Sequence, residues 1–226
     1  MARTVVVTGG TGGLGAAVTH ALLVDDWNVV VPWFAEEELE RVDAHERLTL
    51  VQADLTDPGS AANVAAAAGE DLRAVVNLVG GFAMGGRVHE TPVEDFERQL
   101  RLNLRPTYLM CAAALPVLLA AGGGAIVCVS SRAAVSPFRG AAGYITAKAA
   151  VLAFVDALAE EYRDDDVRVD AILPSTIDTP ANRSSMPDAD FGTWVKPEQI
   201  AGVVCFLCGD DATVISGGHI PVYGRA

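Results

Sequence analysis

The chain has 226 residues and a formal net charge of −13 at pH 7, and 51% of its residues are apolar. A chain of this length can bury a core without a structural metal ion or a disulfide, and we expect no metal site. Such an acidic surface repels phosphate backbones and anionic lipids, so we expect no nucleic-acid and no membrane partner. Met1-Ala2-Arg3 leads straight into a strand without a signal peptide, and all four cysteines lie in apolar runs, so we expect a cytoplasmic protein.

Seven short segments rich in β-branched residues recur along the chain, and helical stretches separate most of them. The segments do not alternate polar and apolar residues, which indicates strands that are covered on both faces. The pattern predicts an α/β fold: a single Rossmann-type domain, residues 1–226, with a doubly wound parallel sheet of about seven strands and helices on both faces. The predicted strands are Thr4–Val7, Asn28–Val31, Leu48–Gln52, Ala74–Val79, Ala125–Ser130, Val167–Leu173 and His219–Val222.

A glycine-rich loop, TGGTGGLG over residues 8–15, follows the first predicted strand and precedes the first predicted helix. Glycines allow the backbone to turn sharply and approach a pyrophosphate, and the helix N-terminus directs free N–H groups at the anion. A plain glycine-rich turn is the alternative, but the position in a βαβ unit favours phosphate binding. The loop residues expected to contact a dinucleotide are Gly9, Thr11, Gly12, Gly13, Leu14 and Gly15.

Pro32-Trp33-Phe34 closes the second predicted strand, where a dinucleotide fold normally carries the residue that selects the cofactor. An acid there accepts from the ribose 2′-hydroxyl of NAD, and an arginine nearby accommodates the 2′-phosphate of NADP. Trp33 can do neither because indole is only a donor; it can pack on adenine or against a neighbouring helix or subunit. The run Glu36–Glu38 is expected to open the next helix. The glycine loop and this strand end contain no arginine or lysine, which slightly favours NAD(H) over NADP(H).

No charged residue occurs between positions 106 and 131, a stretch long enough to cross a bilayer. Pro116 and the run Gly122-Gly123-Gly124 interrupt this stretch, and β-branched residues follow. We therefore predict a buried helix, a turn and a buried strand rather than a membrane span.

The helix inside this stretch is predicted to begin near residue 92 and end near residue 120. Pro106 lies within it and has no N–H to donate to the carbonyl of Leu102. We therefore expect a distortion of the helix beside Asn103.

Tyr144 and Lys148 are four residues apart in one predicted helix, so both side chains lie on the same helical face. An ammonium beside a phenol favours the phenolate and lowers the pKa of the tyrosine, which can then act as a general acid or base. Ser131, at a strand end thirteen residues earlier, is predicted to donate a hydrogen bond to the substrate oxygen. A solvated helix face would explain an isolated pair, but this pair lies downstream of a nucleotide loop.

Together these motifs resemble those of the short-chain dehydrogenase/reductase family over nearly the whole chain. Residues 8–15 resemble its TGxxxGxG motif, Asp54-Leu55 its adenine-contacting Asp, and residues 77–80, NLVG, its NNAG motif. Residues 174–179 resemble PGxVxT with Ser175 in place of the glycine, and residues 215–217 resemble the C-terminal ITG. The catalytic tetrad of the family matches Asn103, Ser131, Tyr144 and Lys148.

The resemblance implies an NAD(P)-dependent oxidoreductase that transfers a hydride between nicotinamide and a carbonyl or alcohol of a small organic substrate. It implies that Tyr144 is the acid/base, that Lys148 lowers its pKa and holds the nicotinamide ribose, that Ser131 polarises the carbonyl, and that Asn103 holds a relay water. It also implies a homodimer or homotetramer formed through the two long helices, at about residues 92–120 and 143–162. Outside the glycine loop, the expected cofactor contacts are Trp33, Asp54, Leu55, Asn77, Val79, Gly80, Tyr144, Lys148, Pro174 and Thr179.

Residues 174–196 join a strand to the helix that starts near Pro197, and we predict that this long connection is a substrate lid. Residues 178–194 resemble the corresponding segment of quinoid dihydropteridine reductase, and residues 80–86 do so more weakly. That enzyme lacks the Ser and Asn of the tetrad, so this local resemblance implies a loop shape and not a pteridine substrate.

A second hypothesis is a non-catalytic relative that binds nucleotide and acts as a sensor or scaffold; a third is other chemistry on this scaffold, such as dehydration or epimerisation. The intact tetrad argues against a pure binder, whereas the departures at Trp33, Ser175 and Tyr223 leave it open. Cys205 and Cys208 have CxxC spacing without a second pair, and core packing is expected of them rather than metal or redox chemistry.

Overall fold

The computed structural model describes residues 3–225 and contains one seven-stranded sheet, in which every paired strand is parallel to its neighbour. The strand order β3-β2-β1-β4-β5-β6-β7 reverses direction between β1 and β4. This architecture confirms the predicted α/β fold. The strands are β1 Thr4–Thr8, β2 Asn28–Trp33, β3 Leu48–Gln52, β4 Leu72–Asn77, β5 Gly124–Val129, β6 Val167–Pro174 and β7 His219–Val222.

Seven α-helices pack on the sheet or connect its strands within the described residues. The central strands are buried on both faces: Val6 of β1 belongs to a cluster with α2, α4 and α5, and Val5 and Val7 to a cluster with α1 and α7. This alternation explains the unbroken apolar runs in the sequence. The helices are α1 Gly15–Val24, α2 Pro58–Ala68, α3 Val93–Asn103, α4 Arg105–Ala120, α5 Ala142–Glu161, α6 Pro180–Ser185 and α7 Pro197–Cys208.

The uncharged stretch divides as predicted into a helix, a turn and a strand. Helix α4 contains Pro116, and the turn that follows contains Gly122 and Gly123, whose positive φ values of 81° and 116° favour glycine. A Cβ on Gly123 would lie 2.5 Å from the carbonyl oxygen of Asp166, so this turn also requires close backbone approach. Strand β5 then enters the middle of the sheet, where its side chains are buried.

The helix predicted over residues 92–120 is interrupted, and the interruption lies where Pro106 predicts it. Helix α3 ends at Asn103, α4 begins at Arg105, and Leu104 between them has a φ of −112°. Because Pro106 has no N–H, the carbonyl of Leu102 loses its helical partner and the two helices separate. The break comes directly after Asn103, the last residue of α3, whose side chain contacts the loop after β4.

Two sequence expectations about element boundaries are wrong. The fourth strand ends at Asn77 rather than at Val79, because Leu78 and Val79 leave the sheet and approach the glycine loop. The connection between β2 and β3 contains a six-residue 3₁₀ helix, Glu36–Arg41, in place of the predicted α-helix. None of these six residues is buried, so an apolar face that would anchor a longer helix is lacking.

Candidate active site

The glycine loop lies at the carboxyl end of β1, at the point where the strand order reverses. Gly9 has a φ of 67°, and a Cβ on it would lie 3.1 Å from the amide nitrogen of Val79. A Cβ on Gly15 would lie 1.9 Å from the carbonyl oxygen of Gly9, so the backbone of the loop folds on itself too closely for any side chain. A backbone cradle of this kind before a helix N-terminus fits the pyrophosphate of a dinucleotide.

Several other predicted cofactor contacts border this cradle. The backbone of Val79 is next to Gly9, and a Cβ on Gly13 would lie 3.0 Å from Cγ2 of Thr179, which follows β6. Asn77 is buried at the end of β4, and Pro174 is buried at the end of β6. The structure therefore brings the residues after β1, β4 and β6 together, as a shared dinucleotide site requires.

Asp54 and Leu55 follow β3 and differ in their surroundings. Asp54 is exposed, and its Oδ1 atom accepts from the amide and the hydroxyl of Thr56 at 2.8 and 2.7 Å. These bonds, the amide first, hold the pKa of the Asp54 carboxyl below its ordinary value. Leu55 is buried in the core. The two bonds hold the Asp54 side chain against Thr56, and an adenine contact at Asp54 stays a prediction.

The connection after β2 returns over the glycine loop, which sequence reasoning missed. Trp33 is partly buried at the end of β2, whereas Phe34 is 70% exposed. Glu38 accepts a hydrogen bond of 2.8 Å at Oε2 from the hydroxyl of Thr11, 27 residues away. Arg41 reaches the carbonyl of Thr11 at 3.5 Å. The carboxylate that was expected only to favour a helix start therefore lies on the nucleotide loop itself.

Tyr144 is partly buried in the first turn of α5, with its phenol hydrogen-bonded to the hydroxyl of Ser131. Burial raises the pKa of the Tyr144 phenol, and the bond to Ser131 opposes this only in part. The lowered pKa predicted from the Tyr-Lys spacing is therefore wrong for this structure. Desolvation of a phenolate outweighs the favourable contact, so the phenol is protonated at neutral pH.

Lys148 is 3% exposed, and its Nζ atom donates to the carbonyl of Val129 at 3.0 Å. Burial of the charged form lowers the pKa of the Lys148 ammonium to about 8. A Cβ on Gly80 would lie 3.1 Å from this nitrogen, so Gly80 leaves the room that the ammonium occupies. Ser130 Oγ donates to the carbonyl of Lys148 at 2.8 Å and fixes this turn of α5 against β5.

Asn103 is fully buried and joins α3 to the loop after β4. Its Oδ1 atom accepts from the amide of Gly81 at 3.0 Å, and its Nδ2 atom donates to the Gly81 carbonyl at 3.0 Å. Nδ2 also lies 3.3 Å from Oε1 of the buried Gln99, a residue that sequence reasoning missed. The Asn103 side chain thus anchors the loop that carries Gly80, while a relay water stays a prediction.

Apolar side chains surround the mouth of the site beside Tyr144. The Phe82 ring contacts the Tyr144 ring edge-on at 5.1 Å and the Phe138 ring at 6.2 Å between centroids. The amide of Gly85 donates to the carbonyl of Gly140 at 2.7 Å, which joins the loops before α3 and α5. A cavity of about 490 Å³ opens beside these loops and is lined by residues including Met84, Val88, Phe96, Gln99 and Tyr144.

The segment predicted as a lid, residues 174–196, contains α6 and a 3₁₀ helix, Phe191–Thr193. Arg183 binds the Asp178 carboxylate through Nε and Nη2 at 2.5 and 2.8 Å, and its guanidinium lies 4.8 Å from the Phe191 ring centroid. The Phe191 and Trp194 rings lie 4.8 Å apart. The two aromatic rings therefore pack on each other, and Phe191 also packs on Arg183. Movement of the segment over a substrate stays a prediction.

The departures at Ser175 and Tyr223 are coupled in the structure. Ser175 Oγ donates to the carbonyl of Tyr223 at 2.7 Å, and the guanidinium of Arg132 lies 5.1 Å from the Tyr223 ring centroid. Cys205 and Cys208 are free thiols in α7, and burial raises the pKa of both, that of Cys205 to about 11. High thiol pKa values make these groups unreactive, in agreement with core packing.

Comparison with known proteins identifies the chemistry to which this geometry is suited. A family model of the short chain dehydrogenases matches residues 3–190. The chain is 32% identical to the 2-(R)-hydroxypropyl-CoM dehydrogenase of Xanthobacter autotrophicus, and the match covers 99% of this chain and 98% of that protein. It is 31% identical to the 2,5-dichloro-2,5-cyclohexadiene-1,4-diol dehydrogenase LinX of Sphingobium indicum, over 98% of this chain and 95% of that protein.

Solved structures show the same architecture over nearly the whole chain. ElxO with NADP bound has a TM-score of 0.91 at 24% identity and covers 99% of this chain and 98% of its own, which supports the fold. The 3-ketoacyl-(acyl-carrier-protein) reductase from Brucella melitensis, complexed with NADH, has a TM-score of 0.88 at 26% identity and covers 98% of this chain and 97% of its own.

Proposed function

The chain belongs to the short-chain dehydrogenase/reductase family, and from this premise we propose which of its residues carry the reaction. It is an NAD(P)-dependent oxidoreductase that acts on alcohol and carbonyl groups. We assign proton transfer to Tyr144, hydrogen bonding of the substrate oxygen to Ser131, and electrostatic support to Lys148. The observation that supports this most directly is the hydrogen bond between Ser131 and Tyr144, one turn before the buried Lys148.

The division of labour follows from the surroundings of each group. The nicotinamide, when bound, supplies or accepts the hydride at the substrate carbon. Tyr144 is protonated at neutral pH because burial raises its pKa, so it can give its proton to a carbonyl oxygen during reduction. Ser131 donates to the same oxygen as negative charge develops there. The ammonium of Lys148, which is charged below its pKa of about 8, favours the phenolate that Tyr144 leaves behind.

For the cofactor, we propose that NAD(H) is preferred over NADP(H). Within residues 3–225, the basic side chain that contacts the glycine loop is that of Arg41, at the long distance of 3.5 Å from the Thr11 carbonyl, whereas Glu38 accepts from the Thr11 hydroxyl at 2.8 Å. A carboxylate on this loop attracts a ribose hydroxyl and repels a 2′-phosphate.

For the substrate, we propose a mainly apolar alcohol or ketone, and a cyclic one fits the aromatic mouth. Phe82, Met84 and Phe138 are 58%, 61% and 47% exposed beside Tyr144, an unusual concentration of exposed apolar surface. The relative LinX is by its name a dehydrogenase of a cyclic diol. We further propose that residues 174–196 close over such a substrate, with Arg183 holding Asp178 and Phe191 together in the state seen here.

For assembly and setting, we propose a homodimer or homotetramer formed through α4 and α5, acting in the cytoplasm. Tyr108 of α4 is 54% exposed and contacts Phe154 of α5 at 5.7 Å between ring centroids, which leaves an aromatic patch on these helices. The four cysteines are all free, which suits a reducing compartment.

The catalytic proposal is tested by Tyr144→Phe, with Tyr162→Phe just beyond the same helix as the matched control. We expect oxidation of NADH by a panel of cyclic ketones, quinones and pterins to fall by about 10²–10⁴-fold in Tyr144→Phe and to persist in Tyr162→Phe. NADH binding, followed by its fluorescence, should survive in both variants. Turnover that persists in Tyr144→Phe would contradict the assignment, and binding without turnover of any panel member would favour the sensor or scaffold hypothesis.

A further inference from the structure

The end of β2 lacks the acid that would normally accept from the adenosine ribose, because Trp33 occupies that place. Five residues after Trp33, Glu38 lies in the 3₁₀ helix, and its carboxylate contacts Thr11 of the glycine loop. We propose that Glu38 is the residue that selects NAD(H) over NADP(H), in place of the missing acid at the end of β2. This inference rests on the proposed cofactor preference and names the side chain responsible for it.

The contact that carries the inference joins two distant parts of the chain. Thr11 is 1% exposed, and its hydroxyl donates to Glu38 Oε2 at 2.8 Å. Because the hydroxyl of a buried threonine on the glycine loop points at this carboxylate, the carboxylate lies at the loop that receives the nucleotide phosphates. A carboxylate has two oxygens and accepts more than one hydrogen bond, so Glu38 can keep its bond to Thr11 and accept from a ribose hydroxyl as well.

Among the acidic residues of this 3₁₀ helix, Glu38 differs from its neighbours in burial. Glu38 is partly buried, whereas Glu36, Glu37 and Glu40 are exposed. The Thr11 bond also restricts the Glu38 rotamer, so its charge is held in one place instead of being averaged over solvent. Glu37 carries the same charge one residue away and is therefore a matched control.

The neighbouring Arg41 does not cancel this effect. Its Nη1 atom lies 3.5 Å from the carbonyl of Thr11, and its side chain is exposed. With Glu38 in place, the two opposite charges on the loop leave little net attraction for a 2′-phosphate. Without the Glu38 charge, Arg41 would be the remaining charged group of this pair, and a 2′-phosphate would then be attracted to it.

The test measures cofactor binding and not turnover. Wild type, Glu38→Gln and Glu37→Gln are titrated with NADH and with NADPH by fluorescence, and NADH is then displaced with AMP or with adenosine 2′,5′-bisphosphate, which differ only in the 2′-phosphate. We expect Glu38→Gln to reduce the preference for NADH about tenfold, mainly through tighter NADPH binding, and Glu37→Gln to leave it within about twofold. Added salt should weaken the wild-type discrimination and affect Glu38→Gln less.

The outcomes separate this inference from the proposal on which it rests. If wild type prefers NADH and Glu38→Gln keeps the full preference with a normal thermal transition, Glu38 is not the selecting residue and the cofactor proposal survives. If Glu38→Gln shifts both dinucleotides equally, Glu38 acts only through general repulsion, and the inference is overturned. A wild type that prefers NADPH, or that binds neither dinucleotide, overturns the inference together with the cofactor preference.

Discussion

Burial of the charged Lys148 side chain is energetically unfavourable for the folded protein. The residue is 3% exposed, and its charge is compensated by a backbone carbonyl rather than by a carboxylate. The lowering of its pKa from 10.5 to about 8 corresponds to about 3 kcal/mol of destabilisation of the folded state while the ammonium is charged. Lys148 is therefore assigned a role in the reaction although its burial lowers the stability of the fold.

The pH dependence of stability follows from this shift. Because the folded-state pKa is below the unfolded one, the unfolded chain binds more protons between about pH 8 and 10.5, and the contribution of Lys148 to the unfolding free energy rises across that window. Below pH 8 both states are protonated and the penalty is constant. Raised pKa values of the buried thiols act in the opposite direction at high pH, so the Lys148 contribution is visible only as a difference between two variants.

We predict that Lys148→Met is more stable than wild type at pH 7 by about 2–3 kcal/mol, although it is inactive, and that the gap closes as pH approaches 10.5. Urea unfolding of both proteins at a series of pH values measures the gap. Lys196→Met, at the chain's exposed second lysine, should change the unfolding free energy by less than about 0.5 kcal/mol. A variant less stable than wild type at pH 7 would mean that the bond to Val129 outweighs desolvation.

At the scale of elements, the break between α3 and α4 positions Asn103 as a clamp on the loop after β4. The loop is held by both polar atoms of one side chain, since Gly81 donates to Oδ1 and accepts from Nδ2. Gly80 precedes Gly81 in this loop, and a Cβ on Gly80 would lie 2.6 Å from Oδ1 of Asn103. The same loop carries Phe82 over Tyr144, so the clamp connects a helix end to the substrate side of the site.

We predict that Asn103→Ala lowers the unfolding free energy by about 2 kcal/mol, because it leaves the amide and carbonyl of Gly81 without partners. Hydrogen exchange should accelerate at residues 80–86, while NADH binding changes less than turnover. Asn182→Ala is the matched control, since Asn182 Nδ2 donates to the carbonyl of Ile177 at 2.8 Å and should release only the segment after β6. Unchanged exchange at residues 80–86 would show that the loop is held by other contacts.

Elements that depend on residues close together in the chain could be predicted from the sequence. The glycine loop, the break at Pro106 and the strand of β5 each follow from residues within a few positions of one another. The contact between Glu38 and Thr11 could not be predicted, because it joins residues 27 positions apart and depends on the path of a six-residue 3₁₀ helix. The direction of the Tyr144 pKa was also missed, since helix spacing gives the neighbour of a side chain but not its burial.

At the scale of the whole molecule, a net charge of −13 opposes self-association while exposed aromatic surface on α4 and α5 favours it. Tyr108 is exposed on α4 beside Phe154, and Leu119 adds exposed apolar area near the end of α4. The stretch Val93–Ala120, which comprises α3 and α4, and helix α5 are each long and apolar enough to cross a membrane, but their most apolar windows are 44% and 39% buried against the fold. Burial of the remaining apolar surface between two copies of the chain is consistent with the proposed dimer.

We predict that Tyr108→Glu shifts the proposed oligomer to a lower mass, because it places a buried charge in the interface between two copies that are already acidic. Light scattering at micromolar concentration measures the mass, and raising the salt concentration should strengthen the wild-type assembly by screening the repulsion between copies. Val24→Glu is the control, since Val24 is 70% exposed on α1, which packs with α7 on the opposite face of the sheet. A monomeric wild type, or equal dissociation by both variants, would contradict an interface through α4 and α5.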